Sequence, residues 1–165
     1  MGAIVQQVST LLGVLVGVLC SYLATRASER ERWRREHAVR WSDRRVEVYA
    51  SYADAVKRMG HISLRICAAH GFGAKVEPLS PDEGISMLAA ADADRSVKWE
   101  LLLLLGNRST VTAARAYNEV VWQLEKAAKG SEVASEDFDV LVREAGRARD
   151  AFYAAARRDL ALHPD

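Results

Sequence analysis

No charged side chain occurs before Arg26, although 27% of the 165 residues are Asp, Glu, Lys or Arg. At that frequency a stretch of 25 residues would hold roughly seven charges. This gap limits what the chain can fold into more than any other feature, because a long uncharged run cannot serve as the surface of a plain soluble domain. From Ala3 to Ala24 the sequence reads AIVQQVSTLLGVLVGVLCSYLA. As a helix rising about 1.5 Å per residue it would extend roughly 33 Å, against a hydrocarbon core of about 30 Å. A transmembrane helix is expected, with Gln6 and Gln7 near one headgroup region and Tyr22 at the other. The alternative is a buried helix of a soluble core, which seldom runs so long without a charge.

Processing of this segment is not expected. A secretory signal would place basic residues ahead of the apolar run, and the junction at Thr25, Arg26 and Ala27 is a poor cleavage site. Cys20 follows Leu19 rather than a small residue, which argues against a lipoprotein site. Residues 1–25 therefore read as an uncleaved signal anchor. Between Arg26 and Arg45 eight arginines stand against four acids, whereas the remainder of the chain is net acidic under an overall charge of +1. Since Lys and Arg excess stays on the cytoplasmic side, the expected topology is single-pass in the inner (plasma) membrane, N-terminus out, with residues 26–165 cytoplasmic. Cys20 and Cys67 form neither a disulfide framework nor a C-x-x-C motif.

Within the span, Ser9, Gly13, Gly17 and Ser21 recur every four residues and would line one helix face. Small-x-x-x-small faces let membrane helices approach closely, so a homo-oligomer formed through these four residues is expected. Beyond the span, Arg26, Arg30, Trp33 and Arg34 are placed to meet lipid headgroups, each cation near an anionic surface contributing about 1 kcal/mol. The competing reading is a solvated helix with Glu–Arg pairs such as Glu31 with Arg34 and Arg35. Nucleic acid is not an expected partner, because it would want a larger net basic surface than +1 provides.

The rest of the chain shows no extended alternating pattern, and four segments carry helical periodicity, which predicts an all-α fold. The first runs from about Arg26 to Ala69, with Trp41, Val48, Tyr52, Ala55, Met59, Ile62, Ile66 and Ala69 spaced by seven, four and three in a coiled-coil-like stripe. No proline separates it from the anchor, so the two are expected to be continuous, with a bend near Thr25 to Ser28 as the alternative. Gly71, Gly73 and Pro78 mark a loop ending at Ser80-Pro81-Asp82-Glu83, where Ser80 and Glu83 would form a capping box and Pro81 suits the first helical position. The second helix would then span 81–105 and stop at Gly106, its KWELLLLL segment being too short to cross a bilayer and expected to enter a core. The third would cover 109–129, buried through Ala113, Ala114, Tyr117, Val120, Val121, Leu124 and Ala128, and stop at Gly130. The fourth would cover 135–162 through Phe138, Leu141, Val142, Ala145, Phe152 and Ala156. Short connections favour an antiparallel up-down bundle.

Sites of chemistry are sparse. Cys67 and His70 can share a helical face, but His61 lies more than two turns from His70 and a structural zinc needs four ligands. Asp92 and Asp94, two apart, would not face each other on a helix. The chain carries no nucleophile elbow, phosphate-binding glycine loop, H-E-x-x-H or P-loop, and Gly71-Phe72-Gly73 reads as turn chemistry. Trp99, Trp122, Tyr117 and Tyr153 are expected in the core rather than in a ligand cage. No catalytic residue, cofactor or metal is expected.

The runs RWSDRRVEVYASYADAVKRM (Arg40 to Met59), KWELLLLLG and FYAAARRDL resemble those of a group of short actinobacterial proteins with an N-terminal hydrophobic segment. The resemblance covers most of the chain, implies the same anchored helical arrangement, and brings no functional residue with it. The expected function is a membrane-anchored scaffold or interaction module that self-associates and meets an unidentified protein partner through the Gly71 to Ser80 loop or its exposed faces. A homo-oligomeric pore lined by Gln6, Gln7, Ser9 and Thr10 is the alternative, and an enzyme is disfavoured.

Overall fold

The computed structural model describes residues 41–73, 76–130 and 135–160. Four helices account for most of them: α1 over residues 41–69, α2 over Pro81–Leu105, α3 over Arg108–Ala128 and α4 over Ser135–Asp159. No strand occurs among the described residues. The fold is all-α and forms one compact unit from Arg44 onward.

α1 is the axis of this unit. Its stripe from Val48 through Tyr52, Val56, Met59 and Ile62 to Ile66 is almost wholly withdrawn from solvent. At one end of the unit Arg45 bonds the carbonyl of Leu105, the last residue of α2, and the final residue of α4, Asp159. At the other end Ile66 touches the first turn of α2 at Gly84, and Phe72 meets Phe138 near the start of α4 with ring centroids 5.5 Å apart. α2 and α4 therefore run antiparallel to α1. α3 runs parallel to it, since the Tyr52 hydroxyl donates to Ala114 O (3.1 Å) and Val121 lies beside Gly60, further along both helices. The expected up-down bundle is the observed one.

Glycines and caps set the helix limits largely as the sequence predicts. Gly106 ends α2, its N–H bonding Leu102 O (2.8 Å), and Gly130 adopts φ +93° after α3, a conformation costly for side chains with a Cβ. Pro81 opens α2. Ser80, however, makes no side-chain capping bond, so the expected capping box is absent; its carbonyl instead accepts the Gly84 N–H (2.8 Å). The side-chain cap falls on Asn107, whose Oδ1 accepts the Thr110 N–H at 2.8 Å and starts α3 one residue earlier than expected. α4 ends at Asp159, short of the expected residue 162.

The core brings together Tyr49, Tyr52 and Phe152, whose rings meet edge to face (centroids 6.4 and 5.8 Å from Phe152), with Trp99 tilted against Tyr52 at 5.7 Å. Four expected core positions lie outside it, one of them Ala69, exposed at the end of α1. Trp41 is 57% exposed, so the buried stripe begins at Val48. Trp122 is 47% exposed, with the Lys126 ammonium 4.0 Å from its ring centroid, and Tyr153 is also exposed. The KWELLLLL segment divides: Leu102 is fully buried, Leu101 and Leu105 half-buried, Leu103 and Leu104 exposed. Five consecutive leucines circle the helix, and only one side of α2 has helices to cover it.

Candidate functional site

Among the described residues the densest polar constellation lies at the first turns of α1 that the structure describes. Arg45 sits one turn before Tyr49 on α1, so both side chains project toward the ends of α2 and α4. The guanidinium donates through Nε to Leu105 O (3.0 Å), through one terminal nitrogen to Asp159 O (3.4 Å), and through the other to the Tyr49 hydroxyl (3.2 Å) and the Asp159 carboxylate. Tyr49 donates its hydroxyl proton to the same carboxylate, and the Asn107 N–H adds a third donor at 3.3 Å. One buried aspartate thus ties α1, the α2–α3 junction and the end of α4 together.

The electrostatics fit a closed structural clamp. Burial alone would raise the Asp159 carboxyl, but the bonds from Tyr49, Arg45 and Asn107 and the nearby guanidinium charge hold it below its ordinary 3.8. Burial and the adjacent carboxylate raise the Tyr49 hydroxyl. The aspartate is therefore ionised and the phenol neutral around pH 7, and three donors from the protein converge on one carboxylate oxygen, Oδ2.

The candidate residues read from sequence fall in three places. Ser9, Gly13, Gly17 and Ser21, together with Arg26, Arg30, Trp33 and Arg34, lie outside the described residues. Cys67 faces the core and burial pushes its thiol up to about 11, while His61 and His70 are exposed; among the described residues no cluster of three His, Cys, Asp or Glu can hold a metal ion. Asp92 pairs with Arg95 (2.7 Å), whereas Asp94 pairs with Lys98 (2.7 Å) and Arg58 (3.4 Å), so the two carboxylates have separate partners. Burial raises Tyr117 to about 12 and Tyr52 further, keeping both core phenols neutral. The Arg45–Asp159 clamp was not among the expected sites: its partners are 114 residues apart, and the only local sign was that Arg45 and Tyr49 share the face of a predicted buried stripe.

Among the described residues no helix is long and apolar enough to cross a membrane, and the run Ala3–Ala24 lies outside them. No protein family, curated protein or solved structure matches this chain.

Proposed function

We propose that the protein is a single-pass, membrane-anchored helical scaffold whose bundle lies on the cytoplasmic side and which self-associates through Ser9, Gly13, Gly17 and Ser21. The observation that carries this reading is the uncharged run Ala3–Ala24 followed at once by an arginine-rich flank. The character of the bundle lends it support. Its densest polar cluster, around Asp159, holds helices together, while Val97 (66% exposed) and Leu104 (79% exposed) leave apolar surface on α2 for protein contacts.

The test is the oligomeric state of the full chain in mild detergent. A defined oligomer that becomes monomeric on Gly13→Leu and Gly17→Leu is the expected result, and an oligomer insensitive to both substitutions overturns the contact face. Resistance of the membrane-bound chain to alkaline extraction tests the anchor separately.

A further inference from the structure

Beside the clamp, α3 and α4 leave a shallow, open groove of about 560 Å³. Its floor is formed by Ala113 and Ala116 of α3 and Ala151 and Ala155 of α4, and these short side chains create the space between the helices. Arg108 and Arg158 stand on its two walls. Each is the chain neighbour of a residue in the Asn107–Asp159 bond, so the clamp holds both arginines at the Arg45 end of the bundle.

The donors available in the groove narrow its chemistry. The Ser109 hydroxyl donates to Asn107 Oδ1 (2.9 Å) and the Thr112 hydroxyl to Arg108 O (2.8 Å), which commits both protons to the protein. The Arg158 Nε is held by Ala154 O (3.3 Å), leaving its terminal nitrogens, and among the described residues neither Arg108 nor Arg158 makes an ion pair. Among the described residues the groove thus offers two guanidinium groups without an ion-pair partner, above an apolar floor. Guanidinium forks match the geometry of phosphate oxygens, and alanine suits the hydrocarbon beside them. Free phosphate would use only the first of these features.

We propose that this groove binds the phosphate headgroup of an anionic phospholipid, with Arg108 and Arg158 taking the phosphate and the alanine floor taking the adjoining glyceryl and acyl carbons. The choice of a lipid as the source of the phosphate rests on the anchored reading above, under which the arginine-rich flank of the apolar run leads in sequence directly into α1. The Arg108–Arg158 pair then joins the bundle itself to the lipid surface.

Native mass spectrometry of the full chain in neutral detergent, titrated with phosphatidylglycerol, phosphatidylcholine or inorganic phosphate, tests the proposal. Preferential retention of phosphatidylglycerol is expected, weakened at least about tenfold by Arg108→Ala with Arg158→Ala. The equal charge change of Lys57→Ala with Lys126→Ala, at exposed α1 and α3 positions outside the groove lining, is expected to alter it less than about twofold, with circular dichroism showing both variants helical. Equal loss in the two double variants, or no preference for phosphatidylglycerol, overturns the site. Retention of inorganic phosphate through the two arginines without lipid preference overturns the lipid assignment. Alkaline extraction of the membrane-bound protein reports on the anchor whichever arginines are present, so failure of that reading is distinguishable from failure of the groove.

Discussion

The two ends of the bundle are closed by different physics. At the Arg45 end the joint is polar: Arg45, Tyr49 and the Asn107 amide converge on the Asp159 carboxylate. At the far end the side-chain contacts are apolar: Ile66 and Leu79 fit against Gly84, and Phe72 tilts onto Phe138. A polar joint is directional and fails when a partner is removed, because the remaining charge loses its compensation. An apolar joint depends on volume and fails when an atom is added.

The polar end carries the largest expected effect. Asp159→Ala strands Arg45 and Tyr49, and breaking such a pair costs about 3 kcal/mol where it is mostly buried. Asp159 also ends α4, where a carboxylate opposes the helix dipole, so removing it returns a few tenths of a kcal/mol. Chemical denaturation of the full chain followed by circular dichroism measures the net loss, and a loss below about 1 kcal/mol would show that the clamp orients helices without stabilising them. The pH dependence has a fixed sign. The folded carboxyl lies below its ordinary 3.8, so its contribution is present above that value and disappears as pH falls through the folded one. Asp159→Asn is expected to flatten this acid-side loss.

At the apolar end, a Cβ on Gly84 would lie 2.4 Å from Ile66 Cγ1 and 2.6 Å from its Cδ1, and Ile66 is fully buried. Overpacking costs about 1–3 kcal/mol, partly offset by the roughly 1 kcal/mol by which alanine is the better helix former. Gly84→Ala is therefore expected to destabilise by about 1–2 kcal/mol. It should also couple to Ile66: in a double-mutant cycle with Ile66→Ala the two losses sum to more than the loss of the double variant. Additive losses would place the strain elsewhere.

Cys67 compares the two ends directly. The Phe72 N–H bonds the Cys67 carbonyl (2.9 Å), and the thiol is 1% exposed and raised to about 11. In a Cys20→Ser background, alkylation near pH 8 should be slow. For the same loss of global stability, Gly84→Ala should accelerate labelling more than Asp159→Ala, because only the former loosens the end that covers the thiol. Equal acceleration would mean that the bundle opens as one unit.

Legibility in the sequence also differed between regions. α1, α3 and α4 have one phased apolar face, and their buried residues largely follow it from Val48, Ala114 and Phe138 onward. Stop signals at Gly106 and Gly130 read correctly because they are local. α2 is apolar around much of its circumference, so periodicity cannot tell which of Leu101 to Leu105 is covered; neighbouring helices decide that, and Leu104 is left 79% exposed. Trp122 and Tyr153 looked like core residues by type, yet each adjoins a buried residue, Val121 and Phe152, and points about 100° away from it. The clamp was hidden because Arg45 sits in a run of arginines and Asp159 in a charged tail, and only the tertiary fold brings them together.

The smallest expected effect separates two kinds of buried polar group at the same end. Thr110 is completely buried in the first turn of α3; its N–H is capped by Asn107 Oδ1, yet its Oγ1 has no hydrogen-bond partner among the described residues. An unpartnered buried hydroxyl is destabilising, whereas the capped amide depends on the backbone and survives substitution. Thr110→Val keeps the β-branched shape and nearly the same helix propensity while replacing the hydroxyl with a methyl group. The variant should gain up to about 1 kcal/mol in the denaturation experiment that shows a loss for Asp159→Ala. A loss of stability instead would mean that this hydroxyl has a partner, making it a working member of the polar joint and extending the clamp from α4 into the first turn of α3.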